Sequence, residues 1–247
     1  NRTHIFRGKT DWMILGGKFA TDPNKSTGEQ AWEVASRFTW QLPQTMVGFG
    51  FAQVVNMTGA YGGLDGTIDH KYGATVLETK NDRWGGVTLG NYIIGDADIE
   101  ADADNPLFQH EYGHYIQSQK MGPAYFSRIG IPSALSEGDH DLHPVEQDAN
   151  RRAFLYFNKN LSDFKDDDDK TANTFDGNEG WDFDYNPLNV EGEGGKYINY
   201  NNENDVRSLQ QLRVHSRWYD YAGGAMSSAP TLITIGLYNA GKYNGLW

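Results

Sequence analysis

The chain of 247 residues contains no cysteine. Disulfides, thiolate nucleophiles and cysteine-rich zinc sites are therefore excluded, and any transition metal must be held by histidine and carboxylate. Positive charge is also scarce: 21 Lys and Arg stand against 33 Asp and Glu, for a net charge of -12. Such a surface is built neither to neutralise phosphate backbones nor to bind anionic lipid, so no nucleic-acid partner is expected. Long apolar runs are missing too. The best stretches, Met46 to Val55 and Ala229 to Leu237, are broken by Gly or Pro and fall short of the roughly 20 residues a membrane span needs. We therefore expect a soluble chain with no membrane span. It begins Asn1-Arg2-Thr3, without an initiator Met or a basic-then-apolar leader, which reads as part of a longer polypeptide with no signal peptide.

What is present suggests an α+β domain. This length fits one domain with a long excursion. Ser26 or Thr27 with Glu29 and Gln30 forms a capped helix start, and Pro43 opens a second helical stretch through Met46 and Val54. Ala74–Thr79, a turn at Asn81-Asp82, and Val87–Leu89 with Tyr92–Ile94 read as a β-hairpin. Gly85, Gly86 and Gly90 imply bulges or close backbone approach. Asp104 or Asn105 before Pro106, and Gly122-Pro123 as a stop, predict one helix over about Pro106 to Met121. A further helix is expected from about Pro144 to Asn158, with Val145, Ala149, Ala153, Phe154 and Phe157 near one face.

The single domain, 1–247, thus divides into a core of about 1–160, an excursion of about 161–204 rich in Asp, Asn and Gly, and a segment of about 205–247 that packs back on the core. Within the excursion, Asp163 to Lys170 differs from a common acidic epitope tag only by Phe164; we read it as a natural acidic loop without mechanistic weight.

The chemistry lies in His110-Glu111-Tyr112-Gly113-His114, in the middle of the predicted Pro106–Met121 helix. Residues four apart share a helix face, so His110 and His114 can each place a nitrogen about 2 Å from one metal ion. Glu111 falls beside the metal but not on it, where it can take a proton from a metal-activated water and return it to a leaving amine. Gly113 costs about 1 kcal/mol relative to Ala in a helix, so another backbone or a substrate should pass close to it. Tyr112, Tyr115 and Ile116 should face the core. The bland alternative is a surface helix with two solvated histidines and a Glu paired to Lys120.

A catalytic zinc needs a third protein ligand and an open position. Glu146 is the choice, because it opens the second predicted helix and can point across at the His pair; Asp148 and His143 remain alternatives. His110-Glu111-Tyr112-Gly113-His114 followed by Glu146-Gln147-Asp148-Ala149-Asn150 resembles the gluzincin arrangement, in which a Glu from a second helix completes a His, His, Glu zinc site. That resemblance implies a zincin-like fold, with a small sheet packed on an active-site helix and a ligand-bearing helix. It also implies a role for Asn150, which stands where several such families place an Asp that supports the first zinc-ligating His.

More narrowly, the stretch from Trp84 to Tyr156, with Gly86-Val87-Thr88-Leu89-Gly90, Leu107–Tyr115 and Glu146–Ala153, resembles the C-terminal domains of Bacteroidetes RHS-repeat proteins, which look like polymorphic toxins. The resemblance implies a secreted or delivered bacterial domain.

Other groups weigh less. His215, near Arg217, Tyr219 and Tyr221, is a candidate donor for the oxyanion, against an ordinary helix-face His; His70 and Tyr72 are weaker candidates. The strand from Val87 to Ile94 offers an edge to which an extended peptide could add. Asp96, Asp98, Glu100, Asp102 and Asp104 suggest Ca²⁺, yet Ala101 and Leu107 occupy positions where an EF-type loop needs Gly and Glu, so a solvated acidic loop is the reading. Asp182–Asn186 is read the same way.

The sequence therefore points to a zinc metallopeptidase on a protein or peptide substrate, with one Zn²⁺ held by His110, His114 and Glu146 and with Glu111 as general base and acid. The alternatives are a zinc amidase or peptidase on cell-wall peptide, and a non-enzymatic binding or adhesion module with a structural metal.

Overall fold

A computed structural model describes residues 2–103, 105–135 and 144–160. The acidic excursion, the closing segment, Asp104, His143 and His215 lie outside the described residues.

Helix α1 (Arg2–Gly16), which the sequence did not announce, precedes α2 (Thr27–Arg37) and α3 (Leu42–Thr58). The start of α2 is the capping box expected from its sequence: the Ser26 side chain accepts from the Glu29 backbone while the Glu29 carboxylate accepts from the Ser26 backbone. Gly59, with φ of 73°, closes α3 in the left-handed conformation.

Four strands follow: β1 (Leu64–Lys71), β2 (Ala74–Thr79), β3 (Gly86–Leu89) and β4 (Tyr92–Gly95), arranged β1-β2-β4-β3 in one sheet. The apolar segments do not form the single hairpin that their order suggests. β2 does not pair with β3; it runs parallel to β4, with Val76 opposite Ile93, and the intervening residues 80–91 supply the crossover that a parallel pair requires. The two antiparallel hairpins are β1/β2 and β3/β4.

Each hairpin is closed by a two-residue turn. Gly90, at φ of 66°, opens the second, as a type II′ turn demands. The first places Tyr72 and Gly73 at φ of 52° and 81°. A left-handed tyrosine costs about 1–2 kcal/mol. The Tyr72 ring offsets this by packing among Phe108, Tyr112, Tyr156 and Phe157, with centroids 5.6–6.1 Å away.

Both faces of the sheet are covered, which is why β2 and β4 are buried along almost their whole length rather than in alternation. Leu77, Tyr92 and Ile94 pack with Ile14 of α1 and with Ala52 and Val55 of α3. Ala74, Val76 and Ile93 meet Phe108, Tyr112 and Tyr115 of α4 (Pro106–Met121), backed by Ala153 and Phe157 of α6 (Pro144–Asn160). Burying each large side chain of this kind stabilises the fold by roughly 1.5–3 kcal/mol.

Helix α4 keeps its expected bounds. The Asn105 side chain accepts from the Phe108 backbone at 2.8 Å, Pro106 fills the first turn, and Gly122 breaks the helix at φ of 53°. After it come a π-helical turn at Phe126–Gly130 and a short α5 (Ile131–Leu135).

A buried polar network ties α2 to α4. Arg37, fully buried, donates to the Lys18, Ala20 and Gly73 carbonyls and to the Tyr115 hydroxyl. Tyr115 in turn donates to Glu33 at 2.8 Å, and Glu33 also receives Lys25 at 2.8 Å and the Asp22 backbone at 3.0 Å. The described chain is thus a mixed α+β unit with a small four-stranded sheet between helices. Among the described residues no helix is long and apolar enough to cross a membrane.

Candidate metal centre

The site forms where α4 crosses α6. The crossing is close because Gly113 has no side chain: a Cβ there would overlap the Ala149 carbonyl and lie 2.8 Å from the Ala149 Cα. The residue that passes close to Gly113 is therefore a backbone of α6. Tyr112 and Tyr115 point the other way, fully buried in the core, with Ile116 packed against the same cluster.

This crossing brings His110, His114 and Glu146 together, with one ligand-type atom from each lying within 4.8 Å of the others. Glu146 Oε2 is 3.3 Å from His110 Nε2 and 2.8 Å from His114 Nε2, and the two rings stand at 85° to each other. Tetrahedral ligands bonded at about 2 Å to one ion are separated by about 3.3 Å, so these spacings suit a shared cation. Glu146 has no side-chain exposure and His114 has 6%, whereas His110 keeps 19%. The cluster opens to solvent on the His110 side.

The neighbours of the rings decide which nitrogens carry protons. Gln117 Nε2 donates to the Val145 carbonyl at 2.8 Å and to Asp148 Oδ2 at 2.7 Å, which uses both of its hydrogens. Its Oε1 is thus the atom that faces His114 Nδ1 at 2.8 Å, and that nitrogen must be the N–H. His114 Nε2 then turns a lone pair toward the Glu146 carboxylate. Two acceptors 2.8 Å apart repel unless a cation, either a proton or a metal, sits between them. His110 Nδ1 lies 2.8 Å from Asn150 Oδ1. Asn150, to which the gluzincin resemblance gave a supporting role, thus stands beside the His110 ring.

Electrostatics agree with a cation-seeking pocket. Burial disfavours ionising Glu146, but the adjoining His114 and His110 outweigh it and hold the carboxyl far below the usual range. Burial likewise opposes the His110 imidazolium, yet its bond to Glu146 and the charges of Glu111 and Glu146 raise it to about 9. In the absence of metal, these contacts favour a proton on His110.

Glu111 is buried against β3. Thr88 Oγ1 donates to Glu111 Oε2 at 2.6 Å, and Gly86 leaves room for the other oxygen, because a Cβ there would sit 2.7 Å from Oε1. Glu111 thus meets a strand rather than Lys120. That strand, β3, is the outer member of the sheet. Tyr125 lies on the same side, donating to the Thr88 carbonyl at 3.1 Å; burial, with the charges of Glu111 and Glu146, keeps its hydroxyl protonated.

The remaining predicted groups fall elsewhere. Asp148 accepts from Gln117 and from Arg152, both at 2.7 Å, and stands behind the cluster rather than in it. His70 and Tyr72 belong to β1 and its turn, at the opposite sheet edge from β3 and on the order of 14 Å away at about 4.8 Å per strand. Asp96, read as part of a solvated loop, is buried and accepts from the Gly85 and Asp98 backbones. The acidic loop forms no metal-binding group among the described residues; the His110, His114, Glu146 cluster is the one found there. Gln117 and Thr88 were missed by sequence reasoning. Nothing local marks them, since each acts only once α4 has met α6 or β3.

Comparisons with models of known families, with curated proteins and with solved structures return no match.

Proposed function

We propose that this chain is a zinc-dependent metallopeptidase with a gluzincin-like site on a zincin-like fold. His110, His114 and Glu146 are its metal ligands and Glu111 is its general base and acid. The observation that supports this reading above the others is the His114 tautomer: a buried amide turns the Nε2 lone pair toward a buried carboxylate that also lies 3.3 Å from His110 Nε2, an arrangement that is repulsive without a cation. Two histidines and a carboxylate form a catalytic zinc set that leaves one position open, and the exposure of His110 lies on the open side. A bound zinc ion would supply Lewis acidity and lower the pKa of a water.

The chain's own groups do the rest. Glu111 accepts the proton of the attacking water and passes it to the leaving nitrogen. Thr88 steadies that carboxylate through one hydrogen bond. On the outer strand β3, Gly86 offers backbone groups with which an extended peptide can pair beside Glu111. The likeness of residues 84–156 to RHS-associated toxin domains favours a secreted or delivered effector acting on protein.

Metal analysis of purified protein, together with digestion of casein and of peptidoglycan, tests this. The expected result is one zinc per chain, casein cleavage that a chelator abolishes, and an intact peptidoglycan. Cleavage of peptidoglycan peptide alone would move the assignment to a cell-wall amidase. Protein that binds no metal would overturn the proposal.

A further inference from the structure

We infer that Gln117 is a positioning residue of the metal centre, whose amide locks His114 in its ligating tautomer and pins the first turn of α6, from which Glu146 projects. This rests on reading His110, His114 and Glu146 as metal ligands.

Gln117 is fully buried and lies three residues after His114, on the same face of α4. Its two hydrogens go to groups that can only accept: the Val145 carbonyl and Asp148 Oδ2. Turning the amide over would set its oxygen against both acceptors. Two buried hydrogen bonds would be lost together, one of them to a carboxylate, so a single orientation survives. Asp148 Oδ2 is itself fixed by Arg152 Nε at 2.7 Å, one turn further along α6. The result is a relay of buried or largely buried side chains, Arg152 to Asp148 to Gln117 to His114, that crosses from one helix to the other.

Two features make this more than packing. Val145 and Asp148 flank Glu146 in α6, so the side chain that orients His114 also sets where Glu146 stands. In addition, both ligating histidines are backed by neutral amide oxygens, Gln117 for His114 and Asn150 for His110. Amides orient the rings without adding negative charge beside Glu111 and Glu146. A backing carboxylate would instead raise the basicity of the imidazole. In this scheme Asp148 matters as an acceptor oxygen, since one atom, Oδ2, receives both Gln117 and Arg152.

The test is a Co²⁺ titration of the full chain after chelator treatment, read by visible absorption, with affinity taken from competition against a chelator. Melting of each metal-free variant is followed in parallel. Gln117→Leu and Gln117→Met should bind Co²⁺ about 10- to 100-fold more weakly, with an altered spectrum. Gly50→Ala in α3, where an added Cβ meets nothing within 4 Å, should stay within about threefold of the unchanged protein. The two Gln117 variants guard against one of them failing to fold. If both keep their affinity and spectrum and lose only melting temperature, Gln117 is structural and the inference is overturned. Unchanged protein that binds no Co²⁺ removes the metal reading itself, a failure distinguishable from the others.

Discussion

Gly113→Ala should weaken metal binding without touching any ligand. An added Cβ would stand 2.8 Å from the Ala149 Cα and closer still to the Ala149 carbonyl, whereas ordinary contact begins at 3.4 Å. The α4–α6 crossing must therefore open by at least roughly 0.6 Å, and by more at the carbonyl. Metal sites tolerate deviations of about 0.2 Å in ligand distance, so Glu146 and Asn150, carried on α6, leave register with His110 and His114 on α4. Alanine returns up to about 1 kcal/mol of helix propensity, but overpacking a close helix crossing typically costs about 1–3 kcal/mol, so the net effect is destabilising by up to about 2 kcal/mol. The assay is Zn²⁺ affinity by chelator competition alongside thermal melting, with Gly50→Ala as the control. Gly50 lies within α3, and a Cβ there would meet nothing within 4 Å, so that change should raise the melting temperature slightly and leave the metal alone. Gly113→Ala should lose at least about tenfold in affinity and melt lower. A Gly113→Ala protein that binds zinc as tightly as the unchanged chain and melts no lower would refute the reasoning.

Three more outcomes follow from the same contacts. Thr88→Val removes the donor that holds Glu111, a bond to a charged group worth about 1.5–3 kcal/mol; peptide hydrolysis should fall by about tenfold or more while zinc content stays at one per chain. Arg37→Met strips the donors from three backbone carbonyls and the Tyr115 hydroxyl, and should lower stability by about 3 kcal/mol in denaturant melts. For pH dependence, the metal-free His110 titrates near 9, above its ordinary value, so its contribution is full below about pH 6.5 and is lost as pH rises through 9. Glu33 is held below the usual carboxylate range: burial opposes its ionisation, but the charge and hydrogen bond of Lys25 prevail, together with the Asp22 backbone and the Tyr115 hydroxyl. Its contribution, like that of Glu146, is present above about pH 4.3 and is lost as pH falls further. Melting temperatures of metal-free protein should therefore decline on both sides, and saturating zinc should remove the alkaline decline by taking the place of the proton.

The helices were legible because their ends are written in local chemistry. Ser26 with Glu29, Asn105 with Pro106, Gly122, and Pro144 act within a turn of where they stand, and the structure keeps α2, α4 and the start of α6 where those residues put them. The sheet was less legible. β1 sends only Leu64 and Ile68 into the core, its polar residues face outward, and its pairing with β2 shifts register between those two positions, so no strict alternation announces a strand. The parallel pairing of β2 with β4 is a tertiary fact, and a hairpin was the simpler guess from two adjacent apolar runs. At the site, the i, i+4 spacing of His110 and His114 could be read directly. The partner Glu146 followed from its place at the start of a helix. Gln117 and Thr88 could not be read, since an amide or hydroxyl gains meaning only from what it faces.

The central claim is that Glu111 does chemistry beside a metal it does not bind. Glu111→Gln tests it most directly, with metal content and peptide hydrolysis measured on the same preparation. One zinc per chain is expected in both proteins, with hydrolysis only in the unchanged one. A Gln variant that still cleaves at the original rate, or one that loses its zinc, would contradict it.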